Sequence, residues 1–144
     1  MNMRFILIIL IFFGLYSSSI AKNYNFFDEA KKLFEEEKFD ESKFLFQRNI
    51  VYNPKDAKSY LFLAKIFNKE EDKSEEEKNL NTTLLLEPRN EEAMYLLIDM
   101  EIKRSNFSKA EELKNDFKEI CKSLCKKILS IDARLKEFEK KDAS

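Results

Sequence analysis

Pro54 and Pro88 are the only prolines in the chain, and they stand 34 residues apart. Proline lacks a backbone donor and clashes with the preceding turn, so each one marks a place where a helix cannot continue. Other punctuation keeps the same interval. Asp56 and Asn90 follow the two prolines by two residues, and Asp40, Ser74 and Ser108 form a second ladder with a step of 34. All of these side chains can accept a hydrogen bond from the free N–H groups at a helix start. Ser74 with Glu77, and Ser108 with Glu111, add the acid three residues on that completes a reciprocal cap. The phased set predicts a chain built from a repeated two-helix unit. The alternative is an unrelated helical bundle that its prolines and caps merely punctuate.

The opening segment has a different character. Arg4 is followed by an apolar run from Phe5 to Leu15, then by small polar residues and Ser19-Ile20-Ala21. This is the three-part pattern of a secretory signal peptide over residues 1–21, cut after Ala21. The apolar run falls short of the roughly 20 residues that span a bilayer. Retention as an N-terminal anchor is the alternative, and only then would a membrane be a partner. The mature chain, Lys22 to Ser144, is 123 residues, enough for one domain with a modest core. Its acids and bases nearly balance and are mixed along the chain, without the clustered basic surface that nucleic acid requires. The abundance of Lys, Asn, Ile, Phe and Glu suits an AT-rich bacterial genome.

Absent residue types narrow the chemistry. The one glycine is Gly14, and the chain has no histidine and no tryptophan. A mature chain without glycine builds no phosphate-cradling loop and no dinucleotide fingerprint. Without histidine it has neither the commonest general base nor a Ser-His or Cys-His nucleophile pair. Carboxylate pairs of the glycosidase kind need a deep cleft in a larger fold. The expectation is a protein that is not an enzyme and needs no cofactor or metal. Tight hairpins favour Asn-Gly or Asp-Gly, and neither dipeptide occurs. An all-α chain fits.

Taking each proline as position 32 of a 34-residue unit gives units of about 23–56, 57–90 and 91–122. Position 4 is then Phe26, Tyr60 and Met94; position 8 is Ala30, Ala64 and Ile98; position 11 is Leu33, Phe67 and Glu101. Position 17 is Phe39, Lys73 and Phe107, position 20 is Ser42, Glu76 and Ala110, and position 24 is Phe46, Leu80 and Lys114. This set resembles the tetratricopeptide repeat family, in which small residues at positions 8 and 20 let paired helices approach and large apolar groups fill between them. The match weakens at Lys73 and Glu76 of the second unit, and Lys122 stands where a third proline would. The resemblance implies a right-handed α-solenoid of antiparallel helix pairs, closed by a C-terminal capping helix.

Beyond Phe107 an apolar stripe runs through Ala110, Leu113, Phe117, Ile120, Leu124, Ile128, Ile131, Leu135 and Phe138. Its phase is unbroken, so the last helix either runs on to about Lys140 or breaks softly near Lys122. It would cap the stack, or join copies through a coiled-coil seam. Cys121 and Cys125 lie on this stretch. On one straight helix their side chains align poorly for a bond to each other. They pair only if the helix breaks there, bridge two chains, or remain free as small hydrophobes.

The resemblance also implies a ligand surface along the first helices of the units, at positions 2, 5, 9, 12 and 13. Those positions hold Phe27, Lys31 and Phe34, then Lys58, Leu61, Lys65, Asn68 and Lys69, then Glu92, Tyr95, Asp99 and Lys103. The basic middle with apolar neighbours would suit a protein or peptide segment carrying acidic and apolar groups. The expected function is an exported, periplasmic or envelope-associated adaptor that binds a protein or peptide partner of the bacterial cell envelope. The alternatives are a homo-oligomer joined by the C-terminal helix, and a thiol-active protein using Cys121 and Cys125.

Overall fold

The structure, a computed structural model, describes residues 26–142, with side chains through residue 137. The signal segment, its cut after Ala21 and the side chain of Phe138 lie outside the described residues. Seven helices follow in order: α1 (Phe27–Glu35), α2 (Phe39–Tyr52), α3 (Ala57–Lys69), α4 (Lys73–Leu86), α5 (Glu91–Lys103), α6 (Phe107–Ile120) and α7 (Lys127–Asp142). No strand occurs among the described residues. Consecutive helices pack on one another throughout, and α7 lies against both α5 and α6. The fold is all-α.

The two kinds of connection alternate. Pro54 and Pro88 sit in the turns Asn53–Asp56 and Glu87–Asn90, where the chain leaves α2 and α4. Turns of three residues reverse it after α1, α3 and α5, and here the backbone does something the sequence does not advertise. Glu37, Glu71 and Ser105 have φ of 59°, 61° and 59°, in the left-handed region. They stand 34 residues apart. In each turn the residue after the left-handed one donates back to the fifth residue before it: Lys38 to Leu33 (2.9 Å), Asp72 to Phe67 (3.0 Å) and Asn106 to Glu101 (2.9 Å). The left-handed residues themselves donate to Phe34, Asn68 and Ile102. These bonds satisfy helix-end carbonyls that would otherwise lack a donor. A side chain with a Cβ resists this conformation by about 1–2 kcal/mol, so the closing bonds and the packing of the paired helices must outweigh that strain.

The caps differ from the sequence expectation. Helix α4 begins at Asp72, whose carboxylate accepts from the N–H of Glu75 at 3.1 Å, and not at Ser74. Helix α6 begins at Asn106 and α2 at Lys38, which places Ser108 and Asp40 inside their first turns rather than at the caps. The tight reversals pull the helix starts two residues upstream. Asn90 does cap α5, accepting from the N–H of Ala93 at 2.9 Å. Asp56 precedes α3 without capping it, and instead accepts from Ser59 Oγ (2.7 Å) and Asn49 Nδ2 (2.8 Å).

Helix α3 divides the interior. One side of it contributes Leu63 and Ile66 to a cluster with Ala30, Phe46 and a ring-rich surround of Phe27, Phe34, Phe39 and Phe62. Leu61 and Ala64 join a second cluster that runs through α4, α5 and α6 to Ile131 and Leu135 on α7. Phe46 and Phe117 are fully buried, and burial of a side chain of that size contributes about 1.5–3 kcal/mol. Small residues act where the frame puts them: Ala30 and Ala64 are buried, and Ser42 Oγ donates to the carbonyl of Ala30 at 2.8 Å.

Polar departures from the frame are paired. Buried Glu76 accepts from Asn68 Nδ2 (2.6 Å) and Lys73 Nζ (3.0 Å), and buried Glu101 accepts from Asn106 Nδ2 (2.8 Å). Among the described residues no buried side-chain nitrogen or oxygen lacks a partner. Two ion pairs also keep the interval with reversed polarity. Lys43 pairs with Glu70, and 34 residues on, Glu77 pairs with Arg104.

The last helix is not a continuation of α6. The chain breaks over Cys121–Lys126, and the break lets the two cysteines of one turn approach: Cys121 and Cys125 form a disulfide with a Cα–Cα distance of 5.2 Å. Ile128 and Ile131 stand 34 residues after Met94 and Leu97, so α7 repeats these apolar positions of α5, and its Leu135 takes the place of Glu101. The pattern departure Lys114 is answered here, because its Nζ meets Asp132 of α7 at 2.7 Å and also Glu111. Ile131 and Leu135 are buried within this chain.

The left-handed turns make a stability prediction. Replacing Glu71 with glycine relieves a Cβ clash and should stabilise the fold by about 1 kcal/mol, seen as a Tm higher by about 3 °C in thermal unfolding. Glu71→Val should lower it. An unchanged or lower Tm for the glycine variant would count against this turn geometry.

Candidate partner-binding clefts

Most of the residues expected to face a partner come together on α1 and α3. A cleft of about 800 Å³ is lined by Phe27 and Lys31 of α1, Lys58, Leu61 and Phe62 of α3, and the stretch Glu87–Glu92 around Pro88. A smaller cleft of about 320 Å³ is lined by Phe34, Lys65, Asn68, Lys69, Glu76, Glu92 and Leu96. Glu92 borders both, and its carboxylate meets Lys65 Nζ at 2.6 Å. A further cleft of about 780 Å³ shares Phe27 and Lys58 with the first and continues past Asn49, Tyr52 and the Asn53–Asp56 turn.

The floor is aromatic. Phe62 stacks on Phe46 with centroids 5.0 Å apart and meets the edges of Phe27 (5.7 Å) and Phe34 (5.1 Å). Such ring pairs add about 0.5–1.5 kcal/mol beyond their burial, which holds the floor rigid before any ligand arrives. Lys65 Nζ lies 4.7 Å from the centre of the Phe62 ring, so its charge is shared between an aromatic face and Glu92. Leu61 is buried at 6 % exposure and belongs to the floor rather than to an open surface.

The charges around the large cleft are unequal in their commitments. Glu91 accepts from the N–H groups of Leu124 (2.7 Å) and Ser123 (3.0 Å). Glu87 accepts from Asn90 Nδ2 at 2.9 Å, and Glu92 holds Lys65. Lys31 has a loose partner in exposed Glu35 at 3.6 Å. Lys58 and Arg89 have no ion pair among the described residues, nor has Lys69 beside the smaller cleft. The acids lining the 800 Å³ cleft are occupied by the protein and its unpaired charges are cations, whereas Asp28 on the 780 Å³ cleft is an exposed acid with no ion pair among the described residues.

Tyr95, Asp99 and Lys103 are placed elsewhere. They sit on α5 under or beside α7: Lys127 Nζ lies 5.0 Å over the Tyr95 ring, and Arg134 Nη1 meets Asp99 Oδ1 at 2.7 Å. Lys103 pairs with the other Asp99 oxygen at 2.7 Å. Helix α7 thus covers Tyr95 and Asp99 of the expected surface, while Glu92 and Lys103 stay exposed. Sequence reasoning missed Phe62 and the turn residues Glu87, Pro88 and Arg89, because it considered first-helix positions alone. The unbroken apolar run Leu61-Phe62-Leu63 was the available sign that α3 is buried on more than one side.

No protein-family model matches the chain, and no curated protein matches it in sequence.

The carboxylates that hold α7 are tuned to stay charged. Backbone N–H donation from Leu124, helped by Lys122 and Ser123, lowers Glu91. The ammonium of Lys114 lowers Asp132. Burial acts to raise Asp99, but the hydrogen bonds from Lys103 and Arg134 outweigh it and leave the group below its usual range. A carboxylate whose pKa is depressed in the folded state contributes stability above its unfolded pKa and loses it as pH falls through the folded value. The docking of α7 should therefore hold from neutral pH down to about pH 4 and weaken below that. The methyl resonances of Ile131, followed by NMR during acid titration, should keep their buried shifts through pH 5 and lose them in stronger acid. Loss nearer neutrality would contradict the assignment of these three acids.

Proposed function

We propose that this chain is a non-catalytic holder, a tetratricopeptide-like right-handed α-solenoid exported behind a cleaved signal peptide. It binds a protein or peptide segment of the bacterial cell envelope. The observation that carries this reading is the run of clefts joined through Phe27, Lys58 and Glu92, with an aromatic floor and with Lys58, Lys69 and Arg89 free of ion pairs among the described residues. A segment that lays apolar side chains on Phe27 and Phe62 would bring its carboxylates to Lys31, Lys58 and Arg89. The 34-residue recurrence of the left-handed turns and of the Lys43–Glu70 and Glu77–Arg104 pairs supports the repeat assignment. The absence of histidine and of any glycine beyond Gly14 supports a role without chemistry.

Self-association through the last helix finds less support. Of the apolar stripe that would form the seam, Ile131 is fully buried within the chain and Leu135 nearly so.

The test is capture from envelope extract by the mature chain, against a Lys58→Glu/Arg89→Glu variant. Both side chains are exposed, so the fold should survive the change. Reversing two cations at a binding surface should cut recovery of a specific partner by about tenfold or more. Equal recovery by both proteins would remove these clefts from the function.

A further inference from the structure

We propose that the Cys121–Cys125 bond is a thiol–disulfide exchange site, opened by a dithiol, whose opening loosens α7 on the Tyr95–Asp99 face of α5. Four observations converge on it. The bond lies in the only connection of the described chain that departs from the short turns, and both cysteines are half-buried, so an external thiolate can reach a sulfur. Cys125 stands just before α7, a helix of 16 residues, and its carbonyl accepts from the N–H of Ile128 at 3.0 Å. A sulfur at a helix N-terminus leaves readily as thiolate. Lys122, Lys126 and Lys127 flank the pair in the sequence and add positive charge of the same effect.

The electrons and atoms balance without a further reactant. A thiolate of the dithiol attacks Cys121 Sγ, a mixed disulfide forms, and the Cys125 thiolate departs and takes a proton from water. The second thiol of the dithiol then displaces Cys121. The protein disulfide gains two electrons and two protons and becomes two thiols, while the dithiol becomes a disulfide.

What the bond restrains is the cap. With the bond closed, the Cys121–Lys126 segment is held at both ends and also by Glu91, which accepts from Ser123 and Leu124. With it open, the segment keeps Glu91 and its short backbone bonds, and α7 is left to Ile131 and Leu135 in the core and to the pairs Asp132–Lys114, Arg134–Asp99 and Lys127–Tyr95. Tyr95 adjoins Leu96, which lines the 320 Å³ cleft with Glu92. Movement of α7 would extend that cleft along α5. Only this consequence for a guest rests on the holder reading; the exchange chemistry and the loosening of α7 stand apart from it.

Hydrogen exchange read by mass spectrometry on the mature chain decides the matter, comparing oxidised protein, protein reduced with millimolar dithiothreitol, and a Cys121→Ser/Cys125→Ser variant. The expected result is reduction without denaturant and exchange in α7 faster by about tenfold or more in both the reduced protein and the variant. Exchange in α1 to α4 should be unchanged. Three results would each overturn the proposal: a bond that resists dithiothreitol until the protein is unfolded, unchanged exchange in α7 after full reduction, or faster exchange in all helices together. Capture of no partner in the preceding test would leave this measurement intact.

Discussion

The chain can stack helix on helix only because α1, α3 and α5 are each turned back by a left-handed residue that is not glycine. Glu37, Glu71 and Ser105 accept that conformation, and in return the N–H groups of Lys38, Asp72 and Asn106 close the preceding helices. The reversal sets where the next helix starts, which face it presents and which ion pair it can make. Lys43–Glu70 and Glu77–Arg104 follow from it, since Glu70 and Arg104 each stand one residue before a left-handed position. Strain at three points is repaid by packing along whole helices. Local backbone preference alone would not choose these turns.

Repetition explains the departures as well as the matches. Lys73, Glu76 and Lys114 stand where the pattern calls for other side chains, and each is answered: Glu76 by Asn68 and Lys73, Lys114 by Asp132. A polar group in an interior is tolerated when its partner is also present. The same reasoning accounts for α7. It repeats the apolar spacing of α5 and covers Tyr95 and Asp99, and the disulfide segment supplies the longer connection it needs. The open part of the surface is then the half formed by α1, α3 and the Pro88 turn. There an aromatic floor meets unpaired cations, which is the basis for reading the protein as a holder.

How far the sequence carried the reading depended on which residues bore the signal. Proline spacing placed the exits from α2 and α4, because a residue without an N–H has few places to stand. Apolar positions of the unit frame predicted α3, which buries residues in both interior clusters, and α5, which buries them in the second. The caps were read two residues late at α4 and α6, because Ser74 and Ser108 look like caps and the three-residue reversals that move the starts are made by Glu and Ser, which carry no turn signature. The break at Cys121 was masked by a stripe whose phase continues across it, so length alone could not separate one helix from two. At the clefts, side chains from first helices were legible from the unit frame. Phe62 and Arg89 were not, since their roles come from how α3 and the Pro88 turn meet. The covering of Tyr95 and Asp99 depends on where α7 lands, which no local pattern encodes.

The central claim is that one local unit recurs at 34-residue spacing with a left-handed turn in each copy. The most direct measurement is NMR of residues 22–144, reading φ at Glu37, Glu71 and Ser105 from scalar couplings and intraresidue proton distances. The account predicts positive φ at all three. A negative φ at any one of them would contradict the shared turn, and with it the repeat that joins α1 to α6.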